Sequence, residues 1–494
     1  MERLSIPAHD ARTMAPPNFH TAPTVTSAHS GRRYRGWLWF FAIVAVVAGG
    51  SGFVYRVGGL ASYPRISAIS GWDQSFYYFW LRSPLWGGEF DFTDDIRDCA
   101  FMLPDVKTNA LRMGRTPNGH QPNKYGVGWA FVNTPFYIAA DAMAHFWRGL
   151  SPTTAPREDG FGPIYQLTVL LGQLGLAIAS LFLAIEVLTK WFPREIATLA
   201  VLVTWLGSFL FLYQTYHLGY AHNTVFFALT ACYASAHAFR RNPAVWWPWI
   251  FCGAGAGLLA ITRYQAVIYL LYPVVLALQV LRLHLRSVLD TSPRGIWLIL
   301  PWLARVGAAL VTFFAIVSVQ LIAWKIVYGS WLIYSYEGEV FYFTRPQLFA
   351  VLFSPYHGLF YWSPFLLAGF CGFMWWLLQR GAATAFRRPE ICWLISLLCT
   401  YWVNAAWETW WFGPAFGSRA FEGSVLFFMA GGAFLLTRWS TSRWRHAALA
   451  VAVLMIAANL SLALVFAKTW IPRDAPITYH EMWQALVRRE AVKP

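Results

Sequence analysis

The stretch GWAFVNTPFYIAADAMAHF, residues 128–146, decides how this chain is arranged, because its reading sets the direction of every helix after it. It is close to spanning length, yet it is only moderately apolar and carries Asn133, Pro135, Asp141 and His145. Around it lie stronger apolar runs of spanning length, at 37–54, 164–187, 196–213, 222–239, 246–262, 264–281, 296–322, 359–378, 390–406, 421–437 and 446–466. If 128–146 stays out of the bilayer core, five basic clusters fall on the side of the N-terminus. These are Lys190 with Arg194, Arg240 with Arg241, Arg282 with Arg286, Arg387 with Arg388, and Arg443 with Arg445. If it spans, all five fall on the other side. Loops rich in Lys and Arg stay on the cytoplasmic side, so 128–146 reads as an interfacial or re-entrant helix.

An all-α polytopic membrane protein of about eleven spans follows, with juxtamembrane helices in one long outward loop at 56–163. The composition agrees: 57% of residues are hydrophobic and 12% charged, too little polar surface to coat a soluble globule of this size. The 28 Trp and 23 Tyr suit headgroup-level belts and the faces of sugars. A net charge of +15 would fit nucleic acid if it lay on one soluble face, but it occurs as short clusters between apolar runs and reads as topology. Five of six cysteines lie inside apolar runs and only Cys99 in a polar loop, which gives neither a disulfide framework nor metal-ligand spacing. Residues 1–36 read as a disordered cytoplasmic tail, with Arg32, Arg33 and Arg35 leading into an uncleaved anchor. Residues 37–466 form the membrane domain, and 467–494 a tail on the outward side. No fixed-period repeat or matched pair of halves is present.

Ionisable groups gather in the outward segments. In Gly71-Trp72-Asp73-Gln74-Ser75-Phe76-Tyr77-Tyr78 a lone carboxylate stands among aromatic rings, whose burial would raise its pKa towards that of a general base; capping of a short helix is the plainer role for it. Asp91, Asp94, Asp95 and Asp98 follow, either as oxygen ligands for a divalent cation or as a solvated acidic loop. Trp407 to Arg419 combines indoles, Glu408, several glycines and one guanidinium, a fork that fits phosphate or that snorkels from an aromatic belt. Arg263 sits in a tight connection between two runs, and His217 and His222 flank another turn at a spacing poor for a metal. His357 lies between Phe353-Ser354-Pro355 and Gly358-Leu359, where two Ser-Pro steps imply a shaped, partly unwound backbone. Neither a Walker motif nor GxSxG, HExxH or paired CxxC occurs, which weakens ATP-driven, hydrolase and zinc chemistry.

The order of these features resembles polytopic glycosyltransferases of the GT-C superfamily, especially the branch of protein O-mannosyltransferases and lipid A aminoarabinose transferases. The residues that carry the likeness are Asp73 with Tyr77 and Tyr78, then Asp91 to Asp95, Lys124-Tyr125-Gly126-Val127-Gly128 with Pro135, Phe353-Ser354-Pro355 with Gly358-Leu359, and Phe416-Gly417-Ser418-Arg419. The resemblance implies transfer of a sugar from a polyprenyl-phosphate donor to a lipid, glycan or protein acceptor at the outer face of the cytoplasmic membrane. It implies Asp73 as the base, Arg263 and Arg419 on the donor phosphate, and Lys124, Tyr125, Tyr77, His357 and Glu408 as further substrate contacts. Where many relatives have Asp-Glu this chain has Asp73-Gln74, which leaves Asp94 or Asp95 as the second catalytic carboxylate and leaves metal dependence open. The alternatives are a flippase for a lipid-linked saccharide, which would line the bilayer midplane with ionisable groups, and a non-catalytic scaffold.

Overall fold

In the computed structural model, residues 34–492 are described except for 101, 154–158, 292–298, 337 and 380–387. The tail at 1–33 and Arg387 therefore lie outside the described residues. Over its described residues each of the eleven apolar runs is largely helical, and no strand is present among the described residues. The long helices are α1 (Arg35–Gly58), α5 (Gly128–Leu150), α6 (Pro163–Leu188), α7 (Arg194–Leu206), α8 (His222–Arg241), α9 (Trp247–Thr262), α10 (Leu271–Thr291), α11 (Leu300–Tyr328), α12 (Phe365–Leu378), α13 (Ile391–Ala406), α14 (Val425–Trp439) and α15 (Arg445–Ala467). Shorter ones precede α5, namely α2 (Gly71–Arg82), α3 (Thr93–Asp98) and α4 (Pro104–Leu111), and α16 (Tyr479–Arg488) follows α15.

Among the described residues, six helical stretches are long and apolar enough to cross a membrane: Arg35–Ser62, Pro163–Leu188, Tyr264–Arg286, Leu300–Tyr328, Arg419–Trp439 and Arg445–Ala467. Helices α9, α12 and α13 are apolar but shorter. The run at 196–213 is interrupted, since α7 stops at Leu206 and the chain resumes as the single turn Leu210–Tyr213. That broken backbone is buried by neighbours, with Ser363 accepting from Phe209 N–H (3.0 Å) and Leu206 and Ser208 carbonyls accepting from Asn459. Irregular backbone at membrane depth persists only where protein satisfies it. Close helix packing uses small residues: a Cβ on Gly431 of α14 would lie 1.9 Å from the Gly369 carbonyl of α12, so the two backbones touch.

The bundle has two chemically distinct ends. At one, Lys190 lies beside Arg240, Arg241 and Glu390. At the other, the segments after α1, before α5, between α7 and α8, between α11 and α12, before α14 and after α15 converge. Contacts such as Lys468 on the Tyr55 ring, Lys124 on Glu339 and Tyr356 on Asp474 knit them together. Residues 128–146 form the first part of α5, a single 23-residue helix that runs on to Leu150 with Pro135 inside it.

Candidate active site

Helix α2 places the central carboxylate. Ser70 is extended, Gly71 takes a positive φ of 79°, and Asp73 falls in the first turn, where the helix dipole favours an anion. The N-cap of this helix is Ser70 and Asp73 lies three residues on, which sets aside the plainer role for Asp73. Its two oxygens are instead used across the fold: the Tyr125 hydroxyl donates to Oδ1 at 2.6 Å, and Arg419 Nη2 lies 2.9 Å from Oδ2. Burial does raise this carboxyl, as its aromatic setting predicts, but the Arg419 guanidinium, the Tyr125 hydroxyl and the charges of Lys124 and Arg263 outweigh it. The net position is below the usual carboxylate range, opposite to the expectation from aromatic burial alone. Asp73 is thus held as an anion, while burial first and Asp73 second push the Tyr125 hydroxyl well up and keep it a donor.

Tyr125 is fixed by the segment Lys124 to Gly128. Asn123 donates to the Phe76 carbonyl (2.9 Å), Trp80 donates to the Tyr125 carbonyl (2.8 Å), and Gln320 accepts from Val127 N–H (2.8 Å). The glycines let this segment lie on the end of α9. A Cβ at Gly126 would stand 2.2 Å from the Ile261 carbonyl, and one at Gly128 2.1 Å from Thr262 Oγ1. Arg263 follows immediately, so the tight fit sets its distance from Tyr125. The Tyr77 ring packs on Tyr125 with centroids 4.7 Å apart.

Arg419 opens the 3-10 turn Arg419–Ser424. The turn is anchored by Ser418, whose hydroxyl donates to the carbonyls of His357 (2.7 Å) and Val351 (3.1 Å), and by Tyr213, which accepts from Phe416 N–H (3.0 Å). His357 itself stands at φ 64° with Nδ1 2.8 Å from the Trp411 carbonyl. Burial pulls its pKa down to about 4, so it acts here as a neutral brace. Glu408 is exposed and ties its backbone N–H to the Val340 carbonyl (2.9 Å).

A second acid joins on the same turn. Glu422 is buried, with Oε1 3.5 Å from Arg263 Nε and Oε2 3.6 Å from His222 Nδ1. Those separations exceed direct hydrogen bonds, and Glu422 Oε2, Arg263 Nε and both His222 nitrogens have no hydrogen-bond partner. Beside them lies a cavity of about 20 Å³ lined by Arg263, Glu422, Asn404 and Thr400, enough for one water. Lys124 completes the set, 2.5 Å from Glu339 Oε1 and over the rings of Tyr336 (5.2 Å) and Tyr125 (5.5 Å).

The structure thus brings Asp73, Tyr77, Lys124, Tyr125, Arg263 and Arg419 together, and leaves two of the three carboxylates expected to act elsewhere. Asp94 is exposed on α3 and paired with Arg97 (2.7 Å), and Asp95 is buried against Arg82 (2.7 Å). Asp91 caps Thr93 and meets Arg115 (3.1 Å), so the acidic run is divided among separate partners rather than gathered round a cation. Among the described residues no three His, Cys, Asp or Glu side chains converge as a metal site. Gln74, in the place of the absent second carboxylate, is buried against Gly219, where a Cβ would meet its Oε1 at 2.2 Å. Sequence reasoning missed Glu422 and gave no role to Glu339 and Tyr336 in the outward loop 334–339. The signal for Glu422 was a lone acid just inside an apolar run.

No protein-family model and no curated protein matches the chain. Among solved structures it is similar to ArnT from Cupriavidus metallidurans in the apo state, at 14% identity and a TM-score of 0.44, over 88% of this chain and 64% of that one. It is similar also to the same protein bound to undecaprenyl phosphate, at 14% identity and a TM-score of 0.43, over 92% and 73% of the two chains. A third similarity is to the Archaeoglobus fulgidus oligosaccharyltransferase in the apo form, at 12% identity and a TM-score of 0.43, over 87% and 55%. The chain therefore spans less than two thirds of the length of the first and third of these proteins.

Proposed function

We propose that this chain is a membrane glycosyltransferase that moves a sugar from a polyprenyl-phosphate donor to an acceptor at the outer face of the cytoplasmic membrane. The observation that carries the reading is the meeting, at one end of a polytopic bundle, of an anionic carboxylate with three cations drawn from separate segments: Asp73 with Arg419, and beside them Arg263 and Lys124. Clusters of Lys and Arg at the opposite end support placing that other end, and the N-terminus, in the cytoplasm.

In this mechanism the acceptor hydroxyl approaches Asp73 Oδ2 or Oδ1 and loses its proton to the carboxylate as its oxygen bonds to the anomeric carbon. The bond from that carbon to the phosphate oxygen breaks, and the electron pair leaves with the phosphate. Arg263 and Lys124 would hold that phosphate and balance the charge it gains, with the Tyr336 hydroxyl close by. Arg419 serves the acid side: its ion pair fixes the direction of Asp73. A carboxylate held below its usual range is a modest base, so positioning and phosphate stabilisation supply most of the rate.

The deciding experiment is transfer of radiolabelled sugar from a panel of polyprenyl-phosphate sugars by protein in nanodiscs, with envelope glycolipids as the acceptor pool. Transfer or donor hydrolysis that falls by about 10²–10⁴ in Asp73→Asn supports the reading. Wild-type turnover by that variant would remove Asp73 from the mechanism.

A further inference from the structure

Two cations lie on one aromatic pair, and a third, Arg473, stands close to the first of them. Arg56 lies over the Tyr216 ring (5.0 Å), Lys468 lies over the Tyr55 ring (4.2 Å), and the two rings stack at 5.8 Å. Arg473 lies over the Phe466 ring (5.1 Å), and Phe466 in turn packs on His217 (6.1 Å). The acceptors that Arg56 and Arg473 reach are neutral: Ala68 O, Ser70 and Gln74 for Arg56, and Phe466 O for Arg473. Among the described residues none of the three is ion-paired. Two carboxylates of the same tail are engaged elsewhere, Asp474 by the Tyr356 hydroxyl (2.8 Å) and Glu481 in the cap of α16. This contrasts with Arg263 and Lys124, each of which faces a carboxylate.

Two buried polar atoms beside the cluster have no hydrogen-bond partner, Nε of Arg473 and Nδ1 of His217, a residue 6% exposed. Burial, followed by the charges of Arg56, Arg473 and Arg419, holds the His217 imidazole neutral. Like charges brought together over unpaired donors are costly unless an anion compensates them. Immediately along α15 from Lys468 lies an apolar groove of about 330 Å³ between α15 and α16, lined by Trp362, Leu462, Val465, Met482 and Leu486 among others. Its inner wall, Trp362, touches Phe466 at 6.2 Å between centroids, so groove and cation cluster are one ring apart. Cations at the end of a span, with a hydrocarbon-lined groove running back along it, match the layout of a phosphate-bearing lipid.

We propose that Arg56, Lys468 and Arg473, with the groove between α15 and α16, form a second lipid site that takes the anionic headgroup and one hydrocarbon chain of the acceptor. The acceptor is then itself an anionic membrane lipid, and it meets Asp73 from the side opposite the donor phosphate. The word acceptor rests on the proposed glycosyltransferase activity; the lipid site does not.

The test is native mass spectrometry of the delipidated protein titrated with phosphatidylglycerol and with phosphatidylcholine of the same chain length. Wild type should prefer phosphatidylglycerol, K468Q/R473Q should lose about tenfold in affinity for it with phosphatidylcholine unchanged, and Ala458→Trp should weaken both lipids by filling the groove. Equal affinity for the two lipids in wild type, or an unmoved preference in K468Q/R473Q, overturns the site. So does competition by soluble glycerol phosphate as strong as by the lipid, which would leave the groove no part. In the transfer assay K468Q/R473Q should keep donor hydrolysis and lose transfer to anionic lipid acceptors; equal transfer by both proteins overturns the acceptor role. Lipid selectivity without any donor turnover in wild type would sink the glycosyltransferase reading and leave the site standing.

Discussion

At the scale of single residues, the pair Asp73–Arg419 bears on stability and, under the proposed mechanism, on chemistry. Both side chains are mostly buried, and removal of one member of a buried pair leaves the other charge uncompensated, at about 3–5 kcal/mol. Asp73→Asn is therefore expected to lower the unfolding midpoint as well as activity, and Arg419→Met to do the same. Their combination should cost less stability than the two single changes added, a coupling read from thermal unfolding of all four proteins. The pH dependence follows from the sign of the shift. A carboxyl whose folded pKa lies below the unfolded value of about 3.9 contributes stability above that value and loses it as pH falls through the lower folded one. Asp73 should therefore impose no acid limb on transfer at pH 5–7, and Arg419→Gln, which removes the first of the charges that lower it, should move the acid limb upward. An acid limb unmoved by Arg419→Gln would show that another group sets it. These residues were legible in part. Asp73, Arg263, Lys124, Tyr125 and Arg419 stand out in sequence because each is polar among aromatic or apolar neighbours. The carboxylates that face two of the cations, Glu422 and Glu339, do not, since their role depends on which distant loop they meet.

At the scale of elements, the decisive contact is the seating of residues 124–128 on the end of α9. Gly126→Ala would place a methyl group 2.2 Å from the Ile261 carbonyl oxygen, far inside van der Waals contact, and since the obstacle is backbone, the segment has to move. We expect a loss of about 1–3 kcal/mol in stability with a larger proportional loss of kcat, because Tyr125 and Lys124 shift together. Activity loss without any thermal shift would mean that the segment adapts and that the glycine serves substrate access. The helices themselves were well marked by hydropathy, though some runs are broken, α7 among them. Its run continues through 213, but the helix ends at Leu206 because Asn459 and Ser363 satisfy the broken backbone, partners no local pattern reveals.

For the whole molecule, the topology makes a separate claim. In a variant with the native cysteines replaced, Asn118→Cys at the site end should react with a membrane-impermeant maleimide on intact cells. Asn242→Cys, next to Arg240 and Arg241, should react only after the membrane is opened. The reverse pattern would invert the orientation argued from the basic clusters. Hydropathy marked the apolar runs and charge gave their expected direction, whereas the convergence of segments more than 300 residues apart at one end could be seen only in three dimensions.

The turn Arg419–Ser424 has one more consequence. It carries Arg419 towards the carboxylate and, three residues later, Glu422 towards the guanidinium of Arg263. Under the proposed mechanism, acceptor side and phosphate side are thus gripped by a single short bracket rather than by two adjustable arms. Inheritance of the two grips is linked: a one-residue insertion or deletion inside the bracket would swing one of them out of register whatever happened to the other. Lineages that retain the activity should then vary the length of the flanking loops and keep this spacing.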